Sequence, residues 1–235
     1  MASTIDKDEV KKFSDMADAW WDPNGKFKPL HKFNPSRIKY IKRQLESHFE
    51  DKKLKIIDIG CGGGLIAEPF ARMGHDLTAI DASDKNIKIA QIHAEKSKLK
   101  INYINSSAED LPKKYHRSFD VVFALEIIEH VADVDLFINH CSKLVKPGGL
   151  VFIATLNRTL KSLAMAKIGA EYILRWLPIG THDFNKFLKP SEIVSRAEEF
   201  DLELKELKGF EYNIFKDSWK ESDNLDINYI TVLKK

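Results

Sequence analysis

Cysteine is scarce in this chain: Cys61 and Cys141 are the only two among 235 residues. Two cysteines cannot build a disulfide framework, neither has a second ligand at metal spacing, and a reducing compartment is the simpler reading. Charge of one sign is also lacking, since 37 Lys and Arg stand against 35 Asp and Glu, a balance of +2. That balance is too small to suggest a general nucleic-acid binder, though it does not exclude a local basic patch. No repeat or low-complexity tract is visible. The amino terminus carries Asp6, Asp8 and Glu9 and has neither the apolar core of a signal peptide nor the Arg-rich, acid-poor pattern of a transit peptide, so nothing there is expected to direct export. What is present is a globular composition, 43% apolar and 31% charged. At this length roughly 70% of the unfolded surface is buried on folding, enough for a sizeable core in one α/β domain.

The organisation reads as follows. Val10, Phe13, Ala17 and Trp20 fall at helical spacing within 6–21, an amphipathic helix expected to pack on the main domain, with Trp20 and Trp21 packing rather than reacting. The stretch DPNGKFKPLHKFNP, with three prolines, predicts an irregular connection, and a second helix runs over 36–49. From Leu54 short apolar runs alternate with helical periods: LKIIDIG, LTAID, INYIN, FDVVFAL and GLVFIATL as strands, with crossover helices over 65–73, 84–96 and 133–146. KPGG at 146–149 stops the last of these. A short helix, PSEIVSRAEEF, leads into two late strands, LELKELKGF and DINYITVL.

The sharpest signal is IIDIGCGGGLIAEPFARMG. Asp58 ends a buried strand, and Gly60, Gly62 and Gly64 let the backbone turn tightly and approach a ligand before a helix begins. A P-loop is excluded by the missing Gly-Lys-Ser/Thr ending. A dinucleotide site is disfavoured because Asp58 crowds a pyrophosphate and the third glycine comes one residue early for GxGxxG, although Asp81 sits 21 residues beyond Gly60, where a ribose-binding acid belongs. A turn with glycines for packing alone is the bland alternative. Cys61, inside this loop, has no neighbouring base to mark it as a nucleophile, and Cys141 reads as core.

After the fourth strand, Glu126, Glu129 and His130 fall where ligands of an open parallel sheet collect. If this segment turns helically, the three converge on neighbouring faces and could hold a divalent metal or polarise a bound hydroxyl. His130 is the leading general base, because an unperturbed imidazole accepts a proton near neutrality. His182 in GTHD is the reserve, and a loop-stabilising pair with Asp183 is its equal alternative. His130 could equally cap the loop.

The strand, glycine loop and second acid resemble those of class I S-adenosylmethionine-dependent methyltransferases. That likeness implies an α/β, Rossmann-like fold: a mostly parallel seven-stranded sheet with helices on both faces. It places Asp58 near the methionine end of S-adenosyl-L-methionine, Asp81 at the ribose, and Ala108 and Glu109 of SSAEDLP beside adenine, where a surface-loop reading competes. WWDPNGKFKPLHKFNPSR, LEIIEHV, LVKPGG, TLNR, GAEYILRWLPIGTHDFNKFLKP and INYITVLKK narrow the resemblance to the ubiquinone biosynthesis O-methyltransferase family over nearly the whole chain. The family implies a single domain over 1–235 with a helical extension over 1–50 and a helical lid insert over 158–190. It implies Arg37 at the methionine carboxylate, Leu125 among the cofactor contacts, and Glu126, Glu129 and His130 as the set proposed in some members for Mg²⁺ or another divalent cation. Its substrates are polyprenylated catechols or phenols, methylated at two steps.

Residues 160–178 add a constraint of their own. Lys161, Lys167, Glu171 and Arg175 share one arc, leaving Leu163, Ala166, Ala170, Ile173, Leu174 and Leu177 over much of the rest. This pattern suits a lid on anionic membrane lipid as well as core packing or dimerisation, and its charges argue against a spanning helix. The resemblance favours the lipid reading: a cytoplasmic protein peripheral to the inner membrane, with a ubiquinone-biosynthesis protein complex as a further partner. A nicotinamide oxidoreductase, a noncatalytic lipid-binding protein and a small-molecule methyltransferase of another pathway are the competing functions.

Overall fold

The structure, a computed structural model, describes residues 3–50, 52–164, 183–213 and 216–235. Helix α1 (Lys7–Asp15) starts at Asp6, whose carboxylate accepts from the Asp8 and Glu9 amides. A 3₁₀ turn at Ala17–Ala19 follows. Helix α2 (Lys28–Phe49) starts eight residues before the expected 36, because Pro29 lies in the first turn, where its missing N–H is not needed. Pro35 sits inside the helix. Phe33, Arg37, Tyr40, Ile41, Gln44 and Leu45 form a continuous buried face, and that packing overrides the proline.

The alternating units come next: β1 (Lys55–Ile59), α3 (Ala67–Arg72), β2 (Asp76–Asp81), α4 (Asp84–Lys96), β3 (Asn102–Asn105), the single turn α5 (Pro112–Tyr115) and β4 (Phe119–Leu125). The chain continues with α6 (Val134–Leu144), β5 (Val145–Leu156), the single turn α7 (Leu160–Ser162), α8 (Pro190–Glu198), β6 (Glu203–Asn213), β7 (Ser218–Ser222) and β8 (Asn228–Lys234). Helix α6 ends before KPGG, which forms the irregular start of β5, with Gly148 at φ +79°.

The strands form one sheet in the order β3-β2-β1-β4-β5-β8-β6-β7. The first five are parallel, β8 is antiparallel to both β5 and β6, and β7 is antiparallel to β6. Among the described residues eight strands are paired where seven were expected. The additional one, β7, has the polar sequence SWKES at the sheet edge, so it lacks the apolar run that marked the others.

Along β4, Val121 and Phe123 face a core shared with α2, α3 and α4, while Val122 and Ala124 face another shared with α6 and α8. The chain reverses its direction of winding between β1 and β4, so their carboxyl ends open a crevice. Of the insert, α7 is a single turn capped by Thr159, and residues 165–182, including His182 and most of the apolar face, lie outside the described residues. Among the described residues no helix is long and apolar enough to cross a membrane.

Candidate active site

At the end of β1, Asp58 is buried and its Oδ2 has no hydrogen-bond partner among the described residues. Burial pushes its pKa up to about 7, against the pull of the nearby Arg37 guanidinium. Arg37 is itself buried. It donates from Nη1 to Glu126 Oε1 at 2.8 Å and from Nη2 to Asn34 Oδ1, and lies over the Phe33 ring. Burial lowers its pKa while Glu126 and Asp58 oppose the shift, and its Nε has no partner among the described residues. An open carboxylate oxygen and an open guanidinium N–H, both enclosed and close enough to influence each other, complement a zwitterion such as the amino-acid end of S-adenosylmethionine.

The glycine turn has a tighter explanation than ligand access alone. Gly60, Gly62 and Gly64 all have positive φ, at 73°, 52° and 90°. A Cβ on Gly60 would meet Ile127 at 2.7 Å; on Gly62 it would strike the Trp20 ring, and on Gly64 the Tyr103 hydroxyl. Gly63 is covered by Trp20 too, at 2.5 Å. Trp20 stacks on Phe27 at 3.7 Å and donates to Asn86 Oδ1 at 3.0 Å. Trp21 donates to the Gly63 carbonyl at 2.9 Å and stacks on His93 at 3.4 Å. The tryptophans therefore pack as expected, and what they pack on is the glycine turn. His31 joins this wall, its Nε2 2.8 Å from the Trp20 carbonyl.

Asp81 closes the same turn from β2. Its Oδ2 accepts from the Gly62 amide at 2.9 Å, and its Oδ1 accepts from the Ser83 amide at 2.8 Å and Asn86 Nδ2 at 3.2 Å. Burial raises its pKa, opposed by these bonds. A carboxylate has about four acceptor sites, so room remains for a hydroxyl such as a ribose offers. Together with the Asp58–Arg37 pair, this set fits S-adenosylmethionine. Ala108 and Leu125 are both buried beside the crevice. Glu109 is engaged by the amino-terminal segment: the Ser3 hydroxyl donates to it at 2.7 Å, the Thr4 amide at 3.1 Å, and the Thr4 hydroxyl as well. These bonds hold its pKa down against burial.

The acidic segment departs from the expected helical convergence. Glu126 has φ +57°, and only Ile128–His130 make a 3₁₀ turn. Glu126 turns to Arg37. Glu129 is buried and accepts from the Thr155 hydroxyl at 2.8 Å, its pKa raised to about 7 by burial. His130 Nδ1 lies 3.0 Å from Glu9 Oε2. Among the described residues no group of three or more His, Cys, Asp or Glu could hold a metal ion, and a divalent cation beside Glu126 would face the Arg37 guanidinium. These residues do not fit the metal implied by resemblance.

Both cysteines are buried thiols: burial pushes Cys61 well up and Cys141 up to about 12, so neither is a ready nucleophile. Asp183 caps the turn at Phe184–Lys186 through the Asn185 amide, while its expected partner His182 is outside the described residues. Other contributors escaped the sequence reading, Asn34 among them. Glu9 could have been found from its place four residues before Phe13 on the expected helix; Asn86 and Thr155 carry no such signal.

Comparison with known proteins gives a family and a likeness of fold. A family model described as a methyltransferase domain matches residues 57–153. A protein of Pelagibacter ubique named ubiquinone biosynthesis O-methyltransferase is 52% identical over 97% of this chain and 98% of its own length. One of the same name from Bartonella bacilliformis is 48% identical, over 99% of this chain and 97% of its own. Among solved structures, magnesium protoporphyrin IX methyltransferase from Synechocystis, with bound S-adenosylmethionine, has a TM-score of 0.66 at 14% identity and full coverage of both chains, a likeness of fold. With near-full-length identity at this level, the chain belongs to the ubiquinone biosynthesis O-methyltransferase family.

Proposed function

We propose that this chain transfers a methyl group from S-adenosylmethionine to phenolic hydroxyls of polyprenylated catechol-type rings, at both O-methylation steps of ubiquinone biosynthesis. The observation that carries the reading is the buried Asp58 carboxylate with one open oxygen beside Arg37, at the crevice end of β1. A dinucleotide pyrophosphate would meet a negative charge there; a cationic amino-acid end meets a partner.

When bound, the cofactor supplies an electrophilic methyl on a sulfonium sulfur. Asp58 holds the ammonium end and the Arg37 Nε–H the carboxylate. Asp81 takes a ribose hydroxyl while pinning the Gly62 amide, so cofactor position and loop shape are set by one side chain. Ala108 and Leu125 supply apolar walls, and Glu109 holds the amino-terminal segment beside the adenine place. His130 accepts the phenolic proton at Nε2, which raises the oxygen's nucleophilicity at the moment of transfer. Alignment of oxygen, carbon and sulfur does the remaining work.

A polyprenyl tail is nearly insoluble in water, so the enzyme must cover it or meet it at a bilayer surface. Leu160 opens the insert with 80% of its surface exposed, which supports 160–178 as a contact with anionic lipid at the inner membrane, on the cytoplasmic side and within reach of other proteins of the pathway. Radiolabelled methyl transfer to a catechol with a prenyl tail, alongside calorimetry with S-adenosylhomocysteine and with NAD, tests the whole. Transfer together with S-adenosylhomocysteine binding is expected; tight NAD binding alone would overturn it. Equal liposome flotation of wild type and a Leu163→Glu, Ile173→Glu variant would remove the lipid contact and leave the chemistry standing.

A further inference from the structure

The carboxylate touching His130 comes from a part of the chain far from it in sequence. Glu9 and Phe13 stand four residues apart on α1 and so share one face. Both reach the imidazole: Glu9 Oε2 lies 3.0 Å from Nδ1, and the Phe13 ring meets it edge-on with centroids 5.0 Å apart. The segment before α1 is fastened to the same loop. Ile5 forms an antiparallel bridge with Val131, and the Ala132 amide donates to the Thr4 carbonyl at 3.0 Å. From beyond the insert, Lys186 Nζ reaches Asp6 at 3.0 Å and Glu9 at 3.4 Å. The side chain of His130 is only 9% exposed and that of Glu9 16%, so the hydrogen bond is sheltered from competing water.

We infer that Glu9 is a positioning residue for His130: it accepts the Nδ1 proton and so fixes the imidazole in the tautomer whose Nε2 carries the free lone pair. This deepens the proposed methyl transfer and rests on it. A glutamate carboxylate is ionised near neutrality and can only accept, and Oε2 stands within hydrogen-bond distance of Nδ1. With Nδ1–H committed, one nitrogen is left to act as base. As the phenolic O–H bond breaks and the Nε2–H bond forms, the oxygen's electron pair binds the methyl carbon and the carbon–sulfur pair returns to sulfur. The imidazolium that results is stabilised by the Glu9 carboxylate and then loses its proton to water. Lys186 and Phe13 hold the carboxylate and the ring in register.

The competing account makes Glu9 a docking contact for α1 and nothing more. Steady-state kinetics of full-length Glu9→Gln, Glu9→Asp and Asp6→Ala chains separates the two. Glutamine keeps the size of the side chain but adds a donor, so both tautomers become acceptable. Its kcat is expected to fall on the order of 10²-fold, with KM for cofactor and catechol within about 3-fold. Aspartate, which restores a pure acceptor, is expected to recover part of that loss. Asp6→Ala removes the α1 cap and a Lys186 contact, loosening the helix without touching His130, and is expected to keep kcat within about 3-fold. Long-range proton–nitrogen correlation of the His130 imidazole, assigned with a His130→Gln chain, needs no substrate; it is expected to show the lone pair on Nε2 in wild type and a tautomer mixture in Glu9→Gln. Unchanged kcat in Glu9→Gln, an equal loss in Asp6→Ala, or a wild-type proton on Nε2 would each overturn the inference. Absence of any methyl transfer by wild type would strike the proposed function, while the tautomer measurement would still decide the matter of Glu9.

Discussion

Arg37 on α2 donates to Glu126 at 2.8 Å across 89 positions of sequence, with the arginine side chain 2% exposed and the glutamate 21%. The amino-terminal extension therefore supplies the charge that balances the corner after β4. Removing the cation leaves Glu126 and Asp58 without compensation, so Arg37→Met is expected to lower stability by about 3–5 kcal/mol. Glu126→Gln keeps an acceptor oxygen and should cost no more than about 1.5 kcal/mol. Urea unfolding of both variants checks the order; an Arg37→Met chain as stable as wild type would contradict it.

Acidity offers a second handle. Asp58 and Glu129 both have folded-state pKa values raised to about 7, above the 3.8 and 4.5 of the unfolded groups. Each binds its proton more tightly when folded, so the stability it contributes is complete below the unfolded value and is lost as pH rises through about 7. Asp58→Asn removes one of these losses. Relative to wild type, the variant should gain stability between pH 5 and about 7.5, followed by urea titration at three pH values. Glu9 works oppositely: its pKa falls from 4.5 to about 2, so its contribution is present above 4.5 and fades as pH drops toward 2.

Two glycine substitutions separate strain from collision. Gly62→Ala would drive a methyl group into the Trp20 ring at a positive φ and is expected to cost about 1–3 kcal/mol while displacing the indole. Gly74 has φ +92° but nothing within 4 Å of a Cβ, so Gly74→Ala should cost only the backbone strain, about 1 kcal/mol. Tryptophan fluorescence should move for the first and stay for the second.

Much of the fold was legible because its strands are short apolar runs with fixed burial. FDVVFAL coincides with β4 and 84–96 with α4. The start of α2 was hidden by prolines that local rules treat as breakers and tertiary packing tolerates. At the site, Asp58, Asp81 and the glycines were visible because strand and loop place them locally. The companions of Glu126 and His130 were not, since Arg37 and Glu9 arrive from helices that no spacing near position 130 can announce. The helical convergence of the triad failed for the same reason: Glu126 adopts a left-handed conformation to meet its distant partner.

Trp21 gives a final test of the loop. Trp21→Phe keeps a ring to stack on His93 and removes the donor to the Gly63 carbonyl. The loss of one hydrogen bond corresponds to about 1 kcal/mol. S-adenosylhomocysteine should accordingly bind roughly 5-fold more weakly by calorimetry, and unchanged affinity would dissociate the indole from cofactor placement.

β8 lies between β5 and β6 and pairs with both, so among the described residues it alone joins the β6–β7 hairpin to the parallel strands by backbone hydrogen bonds. Without Asn228–Lys234, β5 would present a bare flank of amides and carbonyls, the kind of surface on which chains stick to one another. A chain cut before that strand is therefore expected to self-associate through the exposed edge, where the whole chain does not.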